Sequence, residues 1–185
     1  MNTRAEMGVV TLIIFISMLL VVAVAAGVLI QTSGSLQQQA LSTGSQATTQ
    51  ISTNANVLEV SAVDGQDGDL ENFSMIMALS PGSSPIQLED VTISFSSKNT
   101  SQSYTYGNDT ASASQFSVNY LQTGTDHQEG VLVRGDVIEV VLVGQRSYSE
   151  NEDLTINFIP QIGTQTRVRF TLPMVISTQR VYVYP

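Results

Sequence analysis

Asp64, Asp67 and Asp69, with Glu71 close behind, gather carboxylates on one turn-rich segment. Oxygen donors grouped this way bind hard cations, so Asp64, Asp67 and Asp69 form a candidate Ca²⁺ site. Their spacing matches neither an EF-hand loop nor a glycine-aspartate calcium repeat, and the alternative is a hydrated acidic linker. Nucleophilic chemistry has little to build on. The single histidine, His127, lies in Thr125-Asp126-His127-Gln128-Glu129, a polar loop ahead of a strand. Serines are plentiful enough to pair with it nominally, but the reading is a solvated loop histidine and no catalytic constellation. Cysteine is absent, which excludes disulfides, zinc-thiolate sites and thiol nucleophiles together. No glycine-rich phosphate cradle is present, so nucleotide binding is not expected.

Two further motifs concern the surface. Asn72-Phe73-Ser74, Asn99-Thr100-Ser101 and Asn108-Asp109-Thr110 are acceptor sequences for N-glycosylation, which requires exposure outside the cytoplasm. Arg134-Gly135-Asp136 spells an adhesion tripeptide. It stands between Val131-Leu132-Val133 and Val137-Ile138, so a tight turn into a strand explains it.

The elements that would carry these residues follow from charge and hydropathy. The chain has a formal net charge of −9, yet only 12% of its residues are charged, and its 7 Lys and Arg exclude a basic nucleic-acid face. An acidic, polar exterior favours solubility and suits a surface in high salt. Between Met7 and Leu58 there is no charged residue at all. Val9–Ile30 is almost continuously apolar and at helical rise reaches roughly 33 Å, enough for the hydrocarbon core of a bilayer. It is longer than the apolar part of a signal peptide and is not followed by a cleavage-like polar break, so it is expected to be retained.

From Gln31 the composition turns to Ser, Thr and Gln. Leu36, Ala40, Gly44, Ala47, Ile51, Ala55 and Leu58 nevertheless recur at spacings of four and three, a narrow helical stripe. The spacing predicts one helix over residues 6–58, marginal alone and dependent on neighbours along the stripe. A flexible Ser/Thr linker is the alternative.

Beyond Glu59 the pattern is short β runs bounded by turn residues. Strands are predicted near 57–63, 73–79, 91–95, 103–106, 116–120, 131–133, 137–143, 154–158, 168–172 and 181–183. Alternation is plain in Val91-Thr92-Ile93-Ser94-Phe95, and Pro81-Gly82 and Gly135-Asp136 mark turns. The expected class is α+β: a long hydrophobic N-terminal helix followed by an immunoglobulin-like antiparallel β-sandwich over 59–185.

At this level of detail the chain resembles the archaellins, the archaeal flagellins. Met7-Gly8-Val9-Val10-Thr11-Leu12-Ile13-Ile14-Phe15-Ile16, then Val22-Ala23-Val24-Ala25-Ala26-Gly27-Val28-Leu29-Ile30 and Ser35-Leu36-Gln37, are similar to that family's N-terminus. Leu79-Ser80-Pro81-Gly82-Ser83-Ser84-Pro85-Ile86, Phe158-Ile159-Pro160-Gln161-Ile162-Gly163-Thr164 and Val181-Tyr182-Val183-Tyr184-Pro185 resemble its later segments.

The resemblance implies a non-enzymatic subunit of a helical swimming filament on the archaeal cell surface, with a type IV pilin-like helix and an outer sandwich. It implies a membrane-held precursor with a leader over 1–5, cut between Ala5 and Glu6 by a prepilin-peptidase-like enzyme. Torque would come from a separate archaellum motor. Leu12, Phe15, Leu19, Val22, Ala26, Gly27, Leu29 and Leu36 are the expected core-packing residues of a homo-oligomeric filament. An adhesion pilus subunit and a single-span surface-binding module are the rival readings.

Overall fold

The computed structural model describes residues 3–63, 69–98, 100–107 and 110–185, with side chains from residue 6 onward. The chain divides into two compact units, Met1–Ala47 and Thr48–Pro185. Helix α1 spans Thr3–Ser52, roughly 75 Å at helical rise. Eleven strands follow among the described residues: β1 (Ala55–Val63), β2 (Leu70–Leu79), β3 (Ile86–Gln87), β4 (Val91–Ser97), β5 (Ser101–Tyr106), β6 (Gln115–Gln122), β7 (Val131–Leu132), β8 (Val137–Tyr148), β9 (Asp153–Pro160), β10 (Thr166–Thr171) and β11 (Arg180–Tyr184).

The helix stops at Ser52, six residues before the Leu58 that its stripe predicted. Ala55 and Leu58 belong to β1, where burial alternates Ala55 in, Asn56 out, Val57 in, Leu58 out. The segment fits both periods locally, and pairing with β2 selects the strand. The Ser83 hydroxyl lies 3.1 Å from the Ser52 carbonyl and 3.0 Å from the Asn54 carbonyl, and it accepts from the Asn54 N–H at 3.0 Å. It thereby satisfies backbone groups that a helix end leaves without partners.

Strands β6-β8-β2-β1-β11 form one layer and β10-β9-β4-β5 the other. Neighbours within each layer are antiparallel. The two layers join through a short parallel pairing of β5 with β6, Thr105↔Gln115 and Tyr106↔Phe116, which the alternation pattern did not foretell. At the other side Thr166 Oγ1 donates to the Ala55 carbonyl at 2.6 Å, and the Thr164 N–H to the Thr53 carbonyl at 2.8 Å. The result is a sandwich with the two-layer plan of immunoglobulin-like domains. Strand β3, which the sequence reading missed, is two residues paired to β7.

The core lies between the layers. The Phe73 ring on β2 sits 4.9 Å from that of Phe95 on β4, 5.5 Å from that of Tyr148 on β8 and 6.5 Å from that of Phe170 on β10. Alternate residues of β4 and β9 point into it, as Val91-Thr92-Ile93-Ser94-Phe95 implied. Tyr104 crosses the sandwich and donates its hydroxyl to the Val143 carbonyl at 2.7 Å. Burial, with Tyr148 adding to it, pushes the Tyr104 phenol up to about 12, so it remains a donor at any physiological pH.

At one end of the core Arg146 lies 4.4 Å over the Tyr148 ring and pairs with Glu152, which also accepts from Ser97. Burial raises the Glu152 carboxyl, but the hydrogen bonds from Ser97 and Arg146 and the Arg146 charge outweigh it, leaving it below its ordinary 4.5. A carboxyl depressed in the folded state stabilises above its unfolded pKa, and that contribution disappears as pH falls through the folded value. Glu152→Gln should therefore cost about 1 kcal/mol at neutral pH, the scale of a partly solvated charge-assisted bond. The difference from wild type should close well below pH 4.5. Thermal unfolding followed by circular dichroism across pH checks this, and a cost that persists undiminished at pH 2–3 would contradict it.

Candidate assembly surface

The functional residues that the sequence nominated on the helix share one property: nothing covers them. Every described side chain from Glu6 to Thr48 is exposed in the single chain. Phe15 is 60% accessible and Leu29 68%, with Leu12, Leu19, Val22 and Leu36 in the same range. Ala26 is exposed as well, and a Cβ built on Gly27 would meet nothing within 4 Å. Leu12, Phe15, Leu19, Val22, Ala26 and Leu29 recur at spacings of three and four and so share one face. The other faces are apolar too. Ile13, Ile14, Met18, Leu20, Val21, Val24 and Val28 all have more than half of their surface free.

A helix apolar on one stripe docks on one partner, whereas a helix apolar all round must be enclosed. The few hydroxyls do not interrupt that surface. Thr11 Oγ1 donates back to the Met7 or Gly8 carbonyl, Ser17 Oγ to the Ile13 carbonyl at 2.8 Å and Thr32 Oγ1 to the Val28 or Leu29 carbonyl. Their polarity is spent within the helix, so burial leaves no unpaired donor. Enclosing the large side chains of Val9–Ile30 contributes on the order of tens of kcal/mol gross, at roughly 1.5–3 kcal/mol each. The apolar run is about one bilayer long, and helical structure continues past it from Gln31 to Ser52.

The remaining nominated residues are scattered. Asp69 is half-buried just before β2, while Asp64 and Asp67 lie outside the described residues. Among the described residues no group of three His, Asp or Glu is placed to hold a metal. Asn72 is half-buried on β2, in register with Val63 on one side and Val143 on the other. Asn99 and Asn108 lie outside the described residues. Ala5 and Glu6 fall in the first turns of α1, with Glu6 exposed.

His127 is not the freely solvated histidine that its loop suggested. Its Nδ1 sits 3.2 Å from Asp136 Oδ2, and its ring meets that of Tyr120 edge-on at 4.4 Å. Asp136 is 1% exposed and also accepts from the Gly124 N–H at 2.6 Å and the Val133 N–H at 3.4 Å. The carboxylate staples the 124–136 loops together. The loops meet so closely that a Cβ at Gly124 would lie 2.4 Å from the Arg134 carbonyl. Gly135 turns with φ +90°, and the buried Asp136 leaves the Arg134-Gly135-Asp136 tripeptide no acid to present to a receptor.

The archaeal-type flagellin family matches residues 5–170. Flagellin B1 of Natrialba magadii is 32% identical over 185 aligned positions, covering 92% of this chain and 90% of that protein. Flagellin B1 of Thermoplasma volcanium is 41% identical over 68% of this chain, and the match spans 56% of that relative's length. In fold, the chain superposes on the archaeal flagellum of Methanospirillum hungatei with a TM-score of 0.74 at 17% identity, covering 96% of this chain and 99% of that one. A crystal structure of an archaeal flagellin from Methanocaldococcus jannaschii gives 0.65 at 15% identity, over 71% and 97%. The chain belongs to the archaeal-type flagellin family, the structural subunits of the archaeal flagellum.

Proposed function

We propose that α1 is the core-forming element of a helical motility filament and that the sandwich is its outer sheath. The observation that carries this is the uncovered apolar surface on every side of the helix from Val9 to Ile30. One neighbour cannot enclose such a surface, but a bundle of identical helices can, and repetition of one non-closing contact generates a filament. Before assembly the same surface would sit in lipid. Moving it from lipid to protein changes apolar burial little, so close contact at small residues such as Ala26 and Gly27 would decide the packing.

Within this reading the precursor is trimmed between Ala5 and Glu6 by a prepilin-peptidase-like enzyme. A separate archaellum motor turns the filament. As part of the same proposal, glycans at Asn72, Asn99 and Asn108 and Ca²⁺ at Asp64, Asp67 and Asp69 would decorate the head. Helical order from Gln31 to Ser52 favours assembly over a single-span module on a flexible stalk.

Cells sheared and imaged by electron microscopy should release filaments made of this protein. Its mature mass should begin at Glu6. Protein found only in the membrane fraction would overturn the assembly reading, and a mass including residues 1–5 would overturn the cleavage site alone.

A further inference from the structure

The two outer faces of the sandwich carry opposite charge. On the β6-β8-β2-β1-β11 layer, strand register places Glu59, Ile76, Glu139 and Asn119 in one cross-strand row. Glu139 accepts from Ser74 Oγ at 2.6 Å and from Asn119 Nδ2 at 3.4 Å. Among the described residues no cation pairs with Glu59 or Glu139. Arg180 stands on the edge strand at the far corner of this layer, opposite Val63.

On the β10-β9-β4-β5 layer the outward rows are Arg169-Thr155-Ser96-Ser101 and Arg167-Asn157-Ser94-Ser103. Both arginines are exposed, and Lys98 joins Arg169, Asp153, Ser96 and Thr155 around one open cleft. This face therefore gathers three of the chain's 7 cations. Asp153 is the carboxylate among them, and it takes Arg169 at 3.3 Å. Arg167 is held by the Asn157 amide oxygen at 2.8 Å, which orients the guanidinium without neutralising it.

We propose that in the filament the Arg167, Arg169 and Lys98 face of one head docks on the Glu59 and Glu139 face of a neighbouring copy. The inference rests on the assembly reading above. The two faces belong to opposite layers and look outward in opposite directions, so one head cannot join them to each other. A chain of copies can, head to tail, and the contact does not close on itself. Opposite faces attract while like faces repel, which fixes the order in which heads stack. Arg167 and Arg169, two apart on β10, stand roughly 7 Å apart, and Glu59 and Glu139, two strands apart, roughly 10 Å, a difference that flexible arginine side chains span. Around Arg167 and Arg169 the outward side chains are chiefly Ser and Thr, short enough to leave the guanidiniums standing proud, while Glu59 and Glu139 flank Ile76 with Ser74, Val141 and Asn119 beside them.

The test is a charge swap in the full chain, read as the amount of protein in sheared filaments dialysed to about 0.1 M salt, where charges remain visible over about 10 Å. Arg167→Glu with Arg169→Glu should reduce that amount about tenfold, because like charges then face each other. Adding Glu59→Arg and Glu139→Arg to the same chain should return it to within about twofold of wild type. Circular dichroism on each variant confirms that the head is folded. Unchanged filament yield in the double reversal overturns the proposal, as it would if the basic face instead held an acidic surface polysaccharide. A swapped chain as depleted as the double reversal also overturns it. Wild-type protein absent from filaments would instead bring down the assembly reading itself.

Discussion

Val21→Asp is expected to remove this protein from the sheared filament fraction entirely while leaving the thermal unfolding of its head unchanged. Val21 is 69% accessible in the single chain, so the head loses no contact. Once enclosed, the carboxylate has no partner in a segment that carries no charge between Met7 and Leu58. A charge at the centre of a membrane helix costs about 2.5–3.5 kcal/mol even by the mildest scales, and an unpaired charge in a protein interior costs several kcal/mol. Every subunit of a filament would bear that cost.

The companion change, Gly27→Leu, separates lipid from packing. A Cβ added at this position meets nothing within 4 Å in the single chain, and leucine is welcome in a bilayer. Membrane insertion should be normal and filaments lost, because bulk at a small-residue site keeps helices apart. Filaments of ordinary yield from both variants, seen by electron microscopy, would show that the helix is not buried in a core.

Phe73→Ala is expected to be the most damaging single change to the head. Phe73 is 1% exposed and touches aromatic rings from β4, β8 and β10, so it bridges the two layers. Truncating such a residue costs about 3–5 kcal/mol, from lost transfer energy and from the cavity left behind. For a domain of this size that lowers the melting temperature by roughly 10–15 °C. The chain has no tryptophan, so near-ultraviolet circular dichroism of the buried Tyr104 and Tyr148 is the natural probe. Tyr182→Ala, at a residue 65% accessible on the edge strand, is the control and should cost no more than about 0.5 kcal/mol. Equal effects from the two would mean that the Phe73 cluster does not hold the layers together.

The sequence by itself determined what depends on near neighbours in the chain. An uncharged run with apolar residues on every side reads as a helix that must be enclosed, because side-chain direction repeats every few residues whatever the rest of the molecule does. Alternation in Val91–Phe95 and Leu154–Phe158 likewise announced the buried face of β4 and β9. Where two local periods agreed with the same residues, the sequence was silent. Ala55 and Leu58 continue the helical stripe and also fall in an alternating strand run, and only pairing with β2 ended the helix at Ser52.

Contacts between distant residues were decided by the tertiary structure alone. The tight turn at Gly135 was legible in the sequence, but not that folding would bury Asp136 under the 124–136 loops against His127. The parallel junction of β5 with β6 was invisible because each strand's alternation is the same whichever way its neighbour runs. Nor could spacing reveal that Glu59 and Glu139, 80 residues apart, lie in one row facing away from Arg167 and Arg169. Periodicity fixes which side of an element a residue occupies. Which elements stand beside it is set by burial summed over the whole chain.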